Sequence, residues 1–351
     1  MTFKNLVFCA IAGQPMKSPA CSRVGWLGAV TLLFLGLTVS ALPLLAQSPP
    51  TKYFAFDFPG ATITEAFATN DNGKTVGGYC FDGDLGSTCA PPGFSPSHGY
   101  VRVYKAGVVT YQAINYPGAF ETETIGINNH NLIVGLFDPK HVQGDSGRGF
   151  YCQYPCTAAG DFHTVDFPGA TATDLQSVNN LGNIVGVWST NPSAPVDHGF
   201  LYSVSTKKFC KIDVPFTGGS GTNSLGINDS NDVVGSYDEG GIVTAFVLKS
   251  AGFPATGKKC TGTYSKFVYP QTGVTQTEAQ GINNAGVIVG NYLDSSNVSH
   301  AFWRAADGTF TTIDFQPGPT GDNAATSVNT AGQVVGNFTD SAGKERAFRA
   351  H

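Results

Sequence analysis

Glutamate is scarce in this chain, yet it recurs at one spacing. Five residues ahead of a repeated asparagine stand Glu65, Glu123, Asp174, Asn223, Glu278 and Ala324. Carboxylates at equivalent points of a repeat can gather a cation, receive a polyhydroxyl ligand, or act as an acid–base pair on a glycosidic bond. A second acidic set, Asp138, Asp238, Asp294 and Asp340, falls in polar segments soon after a repeated glycine. These aspartates, with Asp82-Gly83-Asp84 and the run from Asn228 to Asp232, make calcium the one cofactor worth weighing. No stretch carries the full twelve-residue calcium loop, so solvated turns are expected and no cofactor is assigned. His98, His198 and His300 share one repeat position, which keeps them in separate units. Hydrogen bonding inside each unit is expected of them, not a metal site. G-x-S-x-G, H-E-x-x-H and phosphate-loop patterns are missing, and no catalytic residue is named.

A repeat must position these groups. Its core reads ATNDNGKTVGGY from Ala68, GINNHNLIVGLF from Gly126 and SVNNLGNIVGVW from Ser177. It returns as GINDSNDVVGSY from Gly226, GINNAGVIVGNY from Gly281 and SVNTAGQVVGNF from Ser327. Asn70, Asn128, Asn179, Asn228, Asn283 and Asn329 are constant, as are Gly77, Gly135, Gly186, Gly235, Gly290 and Gly336. A small-plus-aromatic pair follows, from Gly99-Tyr100 to Ala347-Phe348, then an apolar run ending in a proline turn such as FDFPGA at Phe56. Asparagine and glycine suit a hairpin turn and proline ends a ladder, so each unit spells four antiparallel strands, A to D. Such a sheet has two apolar faces and must stack on its neighbours. The expected fold is therefore all-β, a six-bladed β-propeller of four-stranded antiparallel blades, with a β-solenoid as runner-up. The repeats are preceded by a lone D-type strand at Tyr53–Phe58 and finish on a C strand near Ala347–Arg349. That N-terminal strand should complete the last blade and close the ring.

Charged residues make up 13%, about half the usual share of about 25%. A net charge of −5 without a lysine or arginine cluster argues against a nucleic-acid partner. Gly25 to Ala46 runs without a charge, after Lys17 and Arg23. Residues 1–50 are read as a signal peptide and short linker, with Met16 as an alternative start, and residues 51–351 as the repeat domain. A secreted or periplasmic protein follows. The alternative is a membrane anchor through the uncleaved residues 25–46. Six cysteines remain after the leader: Cys80, Cys89, Cys152, Cys156, Cys210 and Cys260. An even number in an exported chain reads as disulfides, and closeness favours Cys80–Cys89 and Cys152–Cys156, leaving Cys210 with Cys260.

The G-I-N-x-x-G-x-V-V-G core, followed by H-G-Y at His98, H-G-F at His198 and H-A-F at His300, resembles the HAF-type extracellular repeat family of bacterial proteins. The resemblance covers nearly all of residues 53–351. It implies export and says little about activity. Three readings of function stay open. The first is a non-catalytic binding module for a glycan, peptide or cell-surface partner, and the absence of a catalytic signature favours it. The second is a glycan hydrolase or lyase using axial carboxylates, and the third a purely structural envelope protein. Strand A is innermost in a propeller, so the acid row should circle one channel mouth, with the loop aspartates on its rim.

Overall fold

A computed structural model of the chain describes residues 47–82, 98–139, 147–190, 196–255, 258–315 and 321–351. The expected leader up to residue 46, Cys89 and Asp84 lie outside the described residues. The first strand is β1 (Tyr53–Phe56). Unit one holds β2 (Ile63–Thr69), β3 (Lys74–Cys80), β4 (His98–Lys105) and β5 (Val108–Ile114). Unit two holds β6 (Glu121–Ile127), β7 (Leu132–Asp138), β8 (Arg148–Gln153) and β9 (Phe162–Val165). Unit three holds β10 (Ala172–Val178), β11 (Asn183–Ser189), β12 (His198–Ser203) and β13 (Phe209–Ile212). In unit four are β14 (Gly219–Ile227), β15 (Val233–Glu239), β16 (Val243–Gly252) and β17 (Thr261–Phe267). In unit five are β18 (Gln276–Ile282), β19 (Ile288–Leu293), β20 (Ser299–Arg304) and β21 (Phe310–Thr312). The last repeat supplies β22 (Asn323–Val328), β23 (Val334–Thr339) and β24 (Glu345–Ala350).

The fold is an all-β propeller of four-stranded antiparallel blades. The expected six separate blades are not what the sheets show. Four sheets stand apart as quartets: β2 to β5, β6 to β9, β10 to β13, and β22 to β24 with β1. The other eight strands, β14 to β21, form one sheet. The cause is local: a single parallel pair, Val243↔Gln276, joins β16 to β18 across a unit junction. Other junctions make lone bonds at the equivalent place, Thr173 N–H to the Gly147 carbonyl (3.0 Å) and Thr222 N–H to the Asp197 carbonyl (2.9 Å). Strand β1 pairs antiparallel with β24, from Tyr53↔Ala350 to Phe56↔Ala347.

The constant asparagines explain the turns and the joins together. In every unit Oδ1 accepts the amides two and four residues on, as Asn179 does from Leu181 (3.1 Å) and Asn183 (3.0 Å). The Nδ2 group donates to the backbone carbonyl of the asparagine one unit on. These bonds run Asn70, Asn128, Asn179, Asn228, Asn283, Asn329 at 2.9–3.1 Å, and Asn329 donates to the Asn70 carbonyl at 3.3 Å.

The constant glycine answers a close approach. A Cβ on Gly135 would lie 1.9 Å from the Glu123 carbonyl and 3.1 Å from the Phe150 ring. Only a bare Cα lets the aromatic of the small-plus-aromatic pair reach strand A. Opposite each of these glycines strand A carries a β-bulge, which the repeat pattern does not announce: the register slips between Thr124 and Gly126, and at the equivalent point of each of the other strand A segments. The histidine position behaves as expected. His198 Nδ1 bonds Asp213 (2.8 Å), His300 Nδ1 bonds Asp314 (2.7 Å) and His98 Nδ1 bonds Asn115 (3.1 Å), each within its own unit. Arg148 and Arg346 make the same clip with Asp166 and Asp57.

Cys152 and Cys156 are joined, as are Cys210 and Cys260, the latter bracing unit three against unit four. Cys80 is also disulfide-bonded. Among the described residues no helix is long and apolar enough to cross a membrane.

Asn179 is 3% exposed. Asn179→Ala deletes one inter-unit donor and leaves two turn amides without an acceptor. Unfolding by urea should show a loss of about 2–4 kcal/mol. Unchanged stability would remove the asparagine from its joining role.

Candidate functional site

The acid row begins strand A, on β2, β6, β10 and β18. The pairs Glu121↔Asp138 and Ser220↔Asp238 place the B–C loops at the same end of the sheets. At this end the carboxylates lean across the unit junctions. A Cβ on Gly147, ahead of β8, would come within 3.0 Å of Asp174 Oδ1. Glu65 makes the equivalent reach, sharing a side-chain hydrogen bond with Glu345 at the start of β24.

Each of these acids is partly buried, and each is pushed up from the usual carboxylate range. Burial is the main cause throughout, because it disfavours the ionised form. Glu65 is raised further by the charges of Glu345 and Glu123. Glu123 reaches about 8, with added repulsion from Asp174 and Glu121. Asp174 reaches about 6, with Asp197 nearby. Glu278 is raised less freely, since Gln276, Gln280 and Asn291 hydrogen-bond its carboxylate. Glu65, Glu123 and Asp174 therefore form one electrostatic group, and Glu278 sits in an amide pocket of its own.

The loop aspartates do a different job. Asp294 Oδ1 accepts the amides of Ser296 (2.7 Å) and Val298 (3.0 Å), and Asp340 Oδ1 those of Ala342 (2.9 Å) and Lys344 (3.0 Å). Asp238 accepts from Gly241 N–H at 3.1 Å. These three brace B–C turns, while Asp138 ends β7 opposite Glu121. The acidic run from Asn228 is a hairpin turn in which Asp232 is paired with Lys249 at 2.8 Å. Among the described residues no group of three or more His, Cys, Asp or Glu side chains could hold a metal ion.

Two features of the site do not follow from the sequence pattern. Glu345 is an acidic partner from the neighbouring unit, signalled only by its place two residues before Ala347-Phe348. The second is a plug. The bulge residues Phe67, Ile125, Gln176, Leu225, Gln280 and Thr326 line a cavity of about 70 Å³ partway down the channel. Beyond them a cavity of about 90 Å³ opens among the constant asparagines. These residues stand between the acid row, earlier on strand A, and the asparagine turns at its end.

Linkage gives a test. Unfolded, Glu123 titrates near the ordinary glutamate value; folded, it holds its proton to about 8. Between those values the folded state binds the extra proton, so stability falls as pH rises and levels off above about 8. Glu123→Gln should match the parent near about pH 4 and exceed it by on the order of 2 kcal/mol near about pH 9, allowing for partial exposure. Thermal melts across that range check it, and parallel pH profiles would contradict it.

The family model that matches this chain covers residues 39–291 and is described as "Protein of unknown function (DUF3466)". This match replaces the resemblance to HAF-type repeats, which nothing supports. The recurring core behind that resemblance has a local cause, the asparagine turn and the glycine contact. No curated protein matches the chain. Solved structures similar to it include the Trypanosoma rangeli sialidase, at 9% identity and a TM-score of 0.49, over 86% of this chain and 58% of that one. The Hadza microbial sialidase Hz136 is similar at 7% identity and a TM-score of 0.49, over 82% and 65%. A neuraminidase-like protein of subtype N11 from A/flat-faced bat/Peru/033/2010 is similar at 10% identity and a TM-score of 0.42, over 87% and 95%. The chain spans about six-tenths of the length of the two sialidases. At such scores the likeness says nothing of activity.

Proposed function

The chain belongs to the DUF3466 family, and we propose that it is a non-catalytic exported binding module whose acidic mouth takes a polyhydroxyl or cationic ligand. The observation that carries this reading is the electrostatic group of Glu65, Glu123 and Asp174 at one end of the strand A segments. At neutral pH Glu123 keeps its proton, so it can donate and accept a hydrogen bond, as a sugar hydroxyl requires. Asp174, with its value near 6, is charged there and accepts from a hydroxyl or meets a cation. Calcium is a candidate among such cations. That same inequality favours a second reading, glycan cleavage with Glu123 as acid and Asp174 as base. Export, to the periplasm or outside the cell, is supported by the disulfides, with residues 1–50 as the leader.

Calorimetric titration with calcium and with a panel of neutral oligosaccharides tests the mouth. The parent should bind a member of the panel, and the variant combining Glu65→Gln, Glu123→Gln and Glu278→Gln should bind it about tenfold more weakly or not at all. Equal binding by both proteins would sink the assignment. New reducing ends after incubation would establish cleavage in its place.

The finer architecture we infer is a ring of six units closed by β1. Pairing of β1 with β24 and the Asn329-to-Asn70 hydrogen bond support it. Deleting residues 51–58 should then lower the melting temperature by about 10 °C or more, because two sheet edges would be bared. A deletion variant that melts with the parent would refute closure.

A further inference from the structure

A groove of about 470 Å³ lies between unit four and unit five, on the side of the asparagine turns. That volume falls in the range of about 300–1,000 Å³ common for small-molecule sites. Arg304 and Lys249 bring cations to it against one carboxylate, Asp232. Lys266 borders it by its backbone, while its ammonium lies over the Phe216 ring on the other face of β17. In a chain whose net charge is −5, this is a local reversal of sign.

The cations are not equivalent. Lys249 is held by Asp232 at 2.8 Å and Lys266 by Glu239 at 2.5 Å. Arg304 has no carboxylate at ion-pair distance among the described residues, although the charge of Asp307 reaches it. It projects from β20 beside Phe310, with its guanidinium carbon 4.9 Å from the Phe267 ring centroid and 5.6 Å from that of Phe310. Its Nε is buried and donates no hydrogen bond. The rings cover the faces of the guanidinium and leave its Nε–H unmet, which is costly for a buried donor. Arg102 occupies the same repeat position, over Phe56, and its Nε is likewise unbonded. Arg102 is 8% exposed and hydrogen-bonds Tyr111, whereas Arg304 opens onto the groove.

We propose that this groove binds a carboxylated sugar, a uronic acid residue of an acidic glycan. A guanidinium edge matches a carboxylate with two parallel hydrogen bonds. Ser230 and Ser265 bring hydroxyls to the same cavity for the sugar's own hydroxyls, and Lys249 adds positive charge at its wall. The acidic mouth repels the same ligand, so the two sites sort glycans by charge.

Titration of the full chain with a galacturonic acid trimer tests the groove, with a neutral galactose trimer and inorganic sulfate as comparators. The parent should bind the acidic trimer, more weakly as salt rises, and should ignore the neutral one. Arg304→Lys keeps the charge but loses the fork, and binding should weaken about tenfold or more. Ser265→Leu, at an exposed strand position, should narrow the groove and weaken binding while leaving Arg304 in place. The Glu65, Glu123 and Glu278 triple variant should bind the acidic trimer as the parent does, which separates this site from the mouth. Absence of binding by the parent, equal binding of the neutral trimer or of sulfate, both groove variants behaving as the parent, or loss in the triple variant would each overturn the proposal.

Discussion

One side chain in each repeat holds this protein together, the asparagine of the A–B turn. Its oxygen shapes the turn of its own unit, and its amide nitrogen grips the next. An isolated four-stranded sheet would leave two apolar faces in water, so packing between units is obligatory, but packing alone does not fix an angle. A hydrogen bond of about 3 Å with a directional donor does. The following residue repeats the device further out, as Asp71 N–H to Asn129 Oδ1 (2.9 Å) and Asn129 N–H to Asn180 Oδ1 (2.8 Å). With this end locked, the opposite end of the channel is free to carry groups that repel one another.

That freedom is visible in the acid row. Glu65 and Glu345 face each other from neighbouring units, and Glu123 lies within the field of Asp174. Burial and like charge both oppose ionisation there. Acidic residues placed this way do not help folding. Their presence at the same repeat position in four units points to a use outside the fold.

Much of the architecture was legible in the sequence because its causes are local. Asn128 and Gly135 announce a turn and a close contact, and the proline turns announce strand ends. Cys210 was matched with Cys260 by elimination, and the two are joined. The illegible parts depend on geometry between units. Strict alternation along strand A misassigns the side of Ile125 and its equivalents, because the bulge inserts a residue that only the meeting with Gly135 and Phe150 explains. The partnership of Glu65 with Glu345 spans 280 positions and follows no spacing rule. Fusion of two quartets turns on a single parallel pair, Val243↔Gln276. A repeat named from its letters also misled, since turn chemistry can write the same letters in different families.

The plug has an implication of its own. Its members, Phe67, Ile125, Gln176, Leu225, Gln280 and Thr326, sit at bulges, outside the ladder registers, and are of five residue types. The asparagine and glycine on either side never vary within the chain. Within one frame, set by the asparagine and the glycine, the cavity wall thus takes a different side chain from almost every unit.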